Sequence, residues 1–168
     1  MTDTTPLKEK FLDAMRSVAT PVSVVTTDGP GGRFGLTVSS FNSVSADPPV
    51  ISVCINQRSP IIAALARNGR MNVNVLTETG GEIASVFAGQ AGRFSAFDFA
   101  CATWSRDDAG LPVLDDALST FSCAITATIP TGSHMVFLCA VESVNSRDAH
   151  TLLHYRREFC RPVSILSH

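Results

Sequence analysis

The chain has 168 residues, of which 45% are hydrophobic and 17% charged, and its formal net charge is −2 at pH 7. This composition supports one folded domain and argues against disorder. Without a basic excess the chain is poorly suited to bind nucleic acid, and no apolar run reaches the roughly 20 residues that a membrane span needs. The N-terminus lacks the charged-then-apolar pattern of a signal peptide, so we expect a cytoplasmic protein.

The cysteines argue against disulfides and against a structural zinc site. There are five of them, an odd number, and no Cys-x-x-Cys spacing occurs. Cys54, Cys123 and Cys139 lie inside apolar runs. We interpret these three as small buried hydrophobic residues.

The predicted elements are mostly strands joined as hairpins. In chain order they are a helix at 7–19, a hairpin of strands 22–27 and 34–41, a strand at 50–56, a helix with Ser59 as its N-cap and Pro60 as its first residue that stops at Asn68 and Gly69, a strand at 71–76, a helix at 80–87, a loop at 90–99, a turn at 107–112, a hairpin of strands 119–129 and 134–145, and a helical turn or two at 150–158. Because strands do not alternate regularly with helices, we predict a mainly β fold with peripheral helices, an antiparallel barrel. We expect one domain over 1–168, with 1–6 as a disordered tail. No Gly-x-Gly-x-x-Gly follows a strand, which argues against a Rossmann dinucleotide site.

The stretch 35–49 concentrates small hydroxyl side chains at a strand end. They are Thr37, Ser39, Ser40, Ser43 and Ser45. Hydroxyls beside free backbone N–H groups suit an anion such as a phosphate, because each donates without bulk. From composition alone, an ordinary Ser-rich strand end that leads into a turn is the simpler explanation.

The order of residues in this stretch resembles that of the short-chain flavin reductases, the small components of two-component flavin-dependent monooxygenases. The matching residues are Gly-Leu-Thr-Val-Ser-Ser-Phe from Gly35 and Ser-Val-Ser-Ala-Asp-Pro-Pro from Ser43. Further segments resemble the family's Phe-x-Val-Asn-Val-Leu strand (71–76), its Phe-Ala-Gly…Arg/Lys-Phe segment (87–94), its Gly-Asp-His (132–134) and its Leu-Leu-Tyr-Tyr-Arg tail (152–156). The resemblance extends from about Phe11 to Arg161.

This resemblance implies a fold, a reaction and partners. The implied fold is the FMN-binding split β-barrel, antiparallel and Greek-key-like. The implied reaction is reduction of FMN or FAD by NADH or NADPH, after which a partner monooxygenase receives the reduced flavin. The family also implies a homodimer, and neither nucleic acid, membrane nor metal is expected.

The resemblance also implies a set of site residues. Thr37, Ser39 and Ser40 would meet the flavin phosphate and ribityl region, and Ser43, Val44, Ser45, Asp47 and Pro48 would line the isoalloxazine. Asn56, Ser59, Arg93, Phe94, Tyr155 and Arg156 complete the implied cofactor-binding set. Ser59 is equally an ordinary helix cap, Arg93 is alternatively a solvated surface cation, and Arg58 either touches phosphate or faces solvent. We interpret Asn74 as structural, because an Asn inside a strand usually satisfies neighbouring backbone groups.

His134 is the implied catalytic residue, lying beside the nicotinamide. Ser133 replaces the Asp that precedes this His in the family, so the imidazole lacks a carboxylate partner, and the alternative is an exposed turn residue. In the tail, the mixed charges of Arg156, Arg157 and Glu158 leave the choice between NADH and NADPH open. His150, His154 and Glu158 stand at helical spacing, which we interpret as a polar helix face in preference to a zinc site.

Two other functions remain compatible with the residues. One is a flavin-binding electron carrier without a nicotinamide site, and the other is a flavin-dependent reductase of another substrate, such as a corrin-bound cobalt. The sequence has no catalytic triad or metal cluster, which fits hydride transfer because the cofactors carry that chemistry. The presence of His134 together with Tyr155 and Arg156 favours the reductase over the carrier.

Overall fold

The computed structural model describes residues 6–165, and within them the fold is mainly β with three α-helices. The elements are α1 (Leu7–Arg16), β1 (Thr20–Pro21), β2 (Ser23–Thr27), β3 (Phe34–Val38), β4 (Phe41–Ala46), β5 (Pro49–Asn56), α2 (Ile61–Asn68), β6 (Arg70–Leu76), α3 (Gly81–Phe87), a 3-10 helix (Phe99–Cys101), β7 (Trp104–Arg106), β8 (Pro112–Leu114), β9 (Ala117–Thr131), β10 (His134–Ser146), β11 (Leu153–Tyr155) and β12 (Glu158–Cys160). The predicted disordered tail lies outside the described residues except for Pro6, which directly precedes α1. In the described part of the chain, no helix is long and apolar enough to span a membrane.

The main sheet has seven antiparallel strands in the order β3-β2-β6-β9-β10-β5-β4. Its two edge strands, β3 and β4, are consecutive in the chain and are joined only by Ser39 and Ser40. Such a short link spans roughly 10 Å, so the sheet must curl until its edges approach each other. The Ser40 hydroxyl fastens this link, the seam of the sheet, to β5, because it donates to the Cys54 carbonyl over 2.7 Å and accepts from the Cys54 N–H over 3.2 Å.

The hairpins that frame the sheet are confirmed. β2 pairs with β3, and the long strands β9 and β10 pair through the turn between Thr131 and His134. The predicted stop of α2 is also confirmed, since Gly69 adopts a left-handed φ of 68° and its N–H donates to the Leu65 carbonyl. The predicted cap is wrong, because α2 begins at Ile61 and neither Ser59 nor Pro60 makes a side-chain capping bond.

Two buried clusters hold the fold together. The first lies within the curled sheet and includes Cys123 and Cys139, whose thiols have pKa values raised to about 12 by burial. This confirms the interpretation of these two cysteines as hydrophobic residues, whereas Cys54 is only half-buried.

The second cluster fastens α3 to the sheet, with Phe87 fully buried at its centre. A Cβ at Gly35 of β3 would lie 2.4 Å from the Phe87 ring, so the ring rests directly on the backbone of β3. Phe87 also packs edge-to-face on Phe99 and Trp104 at ring-centroid distances of 5.0 and 5.5 Å. This packing fixes the position of α3 relative to the end of β3.

The two asparagines of β6 are buried as completely as its apolar residues. Asn72 and Asn74 are both 0% exposed, because the β7–β8 hairpin covers this face of the sheet. Asn74 donates to the Val24 carbonyl and accepts from the Leu114 N–H, so its structural interpretation is confirmed. A sequence that alternates apolar and polar residues is therefore buried on both faces here.

Three predictions about local structure are wrong. The tail at 150–158 is not helical: β11 and β12 form a hairpin, and its two turn residues, Arg156 and Arg157, have φ values of 49° and 69°. His150, His154 and Glu158 therefore do not share a helix face.

The residues after Ser40 form the strand β4 where we expected a strand end that leads into a turn. Pro49 pairs within the β4–β5 hairpin, although prolines usually end a ladder. The short strands β7 and β8 were not predicted.

Candidate functional site

A cavity of about 330 Å³ opens between the end of β3, the helix α3 and the β11–β12 hairpin. Its lining residues are Val22, Thr37, Val38, Ser39, Ala84, Ser85, Ala88, Gln90, His154, Arg157 and Phe159. The cavity therefore combines two of the hydroxyl residues that the sequence singled out with residues of the tail, which lie more than a hundred positions further along the chain.

The wall formed by α3 is made of small side chains. Ala84 and Ala88 lie one helical turn apart, and Ser85 lies beside them with its hydroxyl donating back to the Gly81 carbonyl over 3.0 Å. The Thr37 hydroxyl donates to the Ala84 carbonyl over 2.8 Å and so ties β3 to α3. Small residues on this helix face leave the space that the cavity occupies.

The hydroxyl groups differ in what they can offer a ligand. Thr37 and Ser40 already donate their hydroxyl hydrogens to protein carbonyls, so each retains only acceptor capacity. Ser39 is exposed at the cavity, and its side chain forms no hydrogen bond with any residue that the structure describes. Ser39 is therefore the hydroxyl of this stretch that is available to donate to an anion.

The opposite wall is the β11–β12 hairpin. His154 and Phe159 are directly paired across the two strands, and their rings lie 6.2 Å apart at an interplanar angle of 69°. Phe159 also packs against α3, since a Cβ at Gly81 would lie 3.4 Å from its ring. Two aromatic rings and the guanidinium-bearing Arg157 thus face the small residues of α3.

The other residues implied for the tail lie outside the cavity lining. The Arg156 guanidinium lies 5.3 Å from the Tyr155 ring, and the Arg156 N–H donates to the Arg16 carbonyl of α1 over 3.0 Å. Tyr155 itself is 37% exposed. In the loop after α3, Arg93 is exposed and its guanidinium lies 5.3 Å from the Phe94 ring.

His134 lies at a second location, where β5 ends and β10 begins. His134 and Asn56 are paired across these strands, and both are exposed. The Ser133 hydroxyl lies 2.9 Å from the His134 Nδ1, so a neutral partner orients the ring where the family has a carboxylate. Gln57 braces the turn, because its side chain donates to the carbonyls of Gly132 and His134 over 3.2 and 2.9 Å.

The polar neighbours of His134 are engaged locally. The Asn56 Oδ1 accepts from the Arg58 N–H over 2.9 Å, and the Ser59 N–H donates to the Asn56 carbonyl. These bonds shape the turn that follows β5. Gln57 was not among the predicted site residues, although its position between Asn56 and Ser59 was a signal that it faces the same turn.

The residues implied for the isoalloxazine form a third group on the edge strand β4 and the turn after it, exposed except for the half-buried Ser45. They are Ser43, Val44, Ser45, Asp47 and Pro48. The β4–β5 pairing is irregular between Ser43 and Ser45, and Val44 at this irregularity is 56% exposed. Of the sequence-predicted residues, the cavity brings together only Thr37 and Ser39.

Several lining residues were missed by sequence reasoning. Ala84, Ser85 and Ala88 had a usable signal, because small residues that share one face of a short helix leave room beside it. Arg157 was noted only as one of the mixed charges of the tail, and its approach to β3, like that of Phe159, depends on a hairpin that the sequence did not predict. The residues present fit a nucleotide: a free hydroxyl, a carboxamide and a guanidinium suit phosphate, and aromatic and small apolar groups suit a flat ring.

Fold and cavity together define a small mainly β protein whose pocket is lined by groups that suit a phosphate-bearing ligand. The sequence profile of the flavin reductase like domain matches residues 15–162. The chain therefore belongs to the flavin reductase-like family.

Individual relatives are similar over most of their length. An FMN reductase (NADH) of Methylorubrum extorquens, RutF 1, is 45% identical over 150 residues, which are 89% of this chain and 74% of the relative. Among solved structures, BorF, the flavin reductase component of a bacterial two-component tryptophan halogenase, is 28% identical with a TM-score of 0.81, covering 92% of this chain and 97% of BorF. The styrene monooxygenase flavin reductase SMOB of Pseudomonas putida is 26% identical with a TM-score of 0.81, covering 93% of this chain and 99% of SMOB.

Proposed function

We propose that this protein is a flavin reductase that transfers a hydride from NADH to FMN and passes the reduced flavin to a partner oxygenase. The observation that carries the proposal is the cavity, which is lined by Ser39 of the family motif, by Arg157 and by two aromatic residues. The relative with 45% identity is named as an FMN reductase that uses NADH, and two structural relatives are named as reductases of a halogenase and of a monooxygenase. These names support the donor, the flavin and the kind of partner.

The bound cofactors supply the redox chemistry, because a flavin accepts the hydride that a nicotinamide donates. The protein's own residues hold the two molecules and exclude water. Ser39 would donate a hydrogen bond to a phosphate oxygen, while Thr37 fixes α3 and would offer a lone pair to a ribityl hydroxyl. His134, which lies outside the cavity beside the Ser133 hydroxyl, would donate to the carboxamide of a nicotinamide that extends to it.

The proposal includes a finer architecture. A sheet whose edge strands are joined by two residues, one of them fastened to β5, supports the split β-barrel, in a single domain over 1–168. Ser43, Val44 and Ser45 of β4 and Asp47 and Pro48 of the turn after it, together with Asn56, Ser59 and His134, would be covered in a homodimer. Val44 and the apolar residues of α1 are exposed in the single chain, which supports such an interface.

Steady-state kinetics test the proposed reaction. NADH oxidation is followed with catalytic amounts of protein while FMN, FAD or riboflavin is varied, and NADPH replaces NADH in a parallel series. We expect saturation with FMN at many turnovers per protein and a preference for NADH. Flavin binding without NADH or NADPH oxidation would contradict the reductase and support a flavin carrier.

A further inference from the structure

Arg157 is the one permanently charged residue in the lining of the cavity formed by the described residues. Its guanidinium makes no ion pair with any acidic group of residues 6–165, whereas Arg16, Arg70, Arg106, Arg147 and Arg161 are each paired with a carboxylate. An unpaired guanidinium presents a planar set of N–H donors that matches the oxygens of a phosphate. The charge of Arg157 is therefore available to a ligand in the cavity.

The turn of the β11–β12 hairpin holds Arg157 at the cavity in a backbone conformation that few residue types adopt. Tyr155 pairs with Glu158, so Arg156 and Arg157 alone form the turn, and both have a left-handed φ. Two-residue turns with positive φ at both positions usually carry Asn and Gly, because other residues are disfavoured there. Non-glycine residues in this conformation concentrate at functional sites.

The two other arginines that the family resemblance assigns to the site do not line the cavity. Arg93 lies against Phe94 in the loop after α3, and Arg156 lies against Tyr155, each at 5.3 Å from the ring centroid. The backbone N–H of Arg156 is also bonded to α1. The neighbouring turn residues thus differ, because Arg157 lines the cavity and Arg156 does not.

We propose that Arg157, which is not in the cofactor-binding set that the resemblance implies, is the phosphate-binding residue of this cavity. The inference rests on the proposed function for the identity of its ligands, since FMN carries a phosphate monoester and NADH a diphosphate. Ser39 and Gln90 supply the neutral donors beside the guanidinium. Both ligands carry negatively charged phosphate oxygens, so the binding measurements below are needed to decide which of the two Arg157 contacts.

The test compares two matched variants, Arg157→Gly and Arg156→Gly. Glycine accepts the positive φ at either position, so both changes remove a guanidinium without straining the turn. Dissociation constants are measured for FMN and riboflavin from flavin fluorescence, and for NAD⁺ by calorimetry on the flavin-loaded protein. Thermal unfolding of each variant checks that the fold is intact.

We expect Arg157→Gly to weaken FMN or NAD⁺ binding about tenfold, as for one lost charge-assisted hydrogen bond at a partly exposed site. Riboflavin, which lacks the phosphate, should bind both variants as it binds the wild type. A loss confined to FMN assigns the flavin phosphate to Arg157, and a loss confined to NAD⁺ assigns the dinucleotide phosphates. Arg157→Lys should recover part of the affinity, because it restores the charge without the planar donors.

The inference is overturned if Arg157→Gly binds FMN and NAD⁺ as the wild type does, or if Arg156→Gly or Arg93→Ala shows the larger loss. An equal loss for riboflavin and FMN would also overturn it, since that result indicates a distorted cavity. The role of Arg157 and the proposed reductase activity can fail separately. If the wild type binds FMN but does not oxidise NADH or NADPH, the reductase proposal fails. The comparison of FMN with riboflavin still decides the role of Arg157 in that case.

Discussion

Removing each of two hydroxyls at the end of β3 should change a different property. Loss of the Thr37 hydroxyl should lower stability, whereas loss of the Ser39 hydroxyl should weaken FMN binding. Thr37→Val removes the bond to the Ala84 carbonyl, which spans 2.8 Å in a half-buried setting. That carbonyl also accepts from the Ala88 N–H over 3.0 Å, so it is not left unpaired. The expected cost in the free energy of unfolding is therefore about 1 kcal/mol, the value for one ordinary hydrogen bond, which lowers Tm by roughly 2–4 °C in a chain of this size.

Ser39→Ala should leave stability within about 0.5 kcal/mol of the wild type, because its hydroxyl has no protein partner among the described residues. Its FMN affinity should instead fall by roughly tenfold, since the free donor at the cavity is lost. Thermal unfolding followed by circular dichroism and FMN fluorescence titration measure the two quantities on the same samples. The reasoning is refuted if Ser39→Ala is destabilised but binds FMN as the wild type does. It is also refuted if Thr37→Val loses more FMN affinity than Ser39→Ala, because the Ser39 hydroxyl would then not be the one that binds the ligand.

Three further changes probe other parts of the account. Ser40→Ala should reduce the free energy of unfolding by about 1–2 kcal/mol in denaturant titration, because both hydrogen bonds to Cys54 at the seam are lost; unchanged stability would remove Ser40 from the seam. His134→Ala should slow flavin reduction in stopped-flow traces and leave FMN affinity as it is, whereas an unchanged rate would make His134 an ordinary turn residue. Replacing Arg156 by Asn and Arg157 by Gly in one protein should raise Tm, because Asn and Gly suit the positive φ at the two turn positions. The same protein should bind phosphate-bearing ligands more weakly, and a lower Tm would contradict the turn geometry.

The sheet was largely predictable because its strands carry strong local signals. The β-branched residues of β2, the Gly-rich turn after it, and the paired long segments on either side of Gly132 all indicate hairpins. β4 was missed because a Ser-rich segment before two prolines has the composition of a turn. β7 and β8 were missed because three-residue strands carry too little pattern to predict.

The tail shows why the site was only partly predictable. Leu152, Leu153 and Tyr155 have a spacing that fits a helical turn, and the turn residues Arg156 and Arg157 are neither Asn nor Gly, so nothing local indicated a hairpin. Only tertiary packing, with Phe159 against α3 and Arg156 bonded to α1, stabilises it. The hydroxyl-rich stretch allowed Thr37 and Ser39 to be predicted from the sequence. The presence of Arg157 in the same cavity could not be predicted, because it depends on this packing.

The most direct test of the central claim is an anaerobic titration that follows the oxidised flavin absorbance, with FMN in large excess over protein and NADH added last. We expect the whole FMN pool to bleach rapidly when protein is present, because each protein molecule reduces many flavins, and to stay oxidised when protein is omitted. Bleaching of a single protein equivalent would indicate a tightly held flavin that does not leave for a partner. No bleaching with NADH or with NADPH, despite bound FMN, would contradict the reductase.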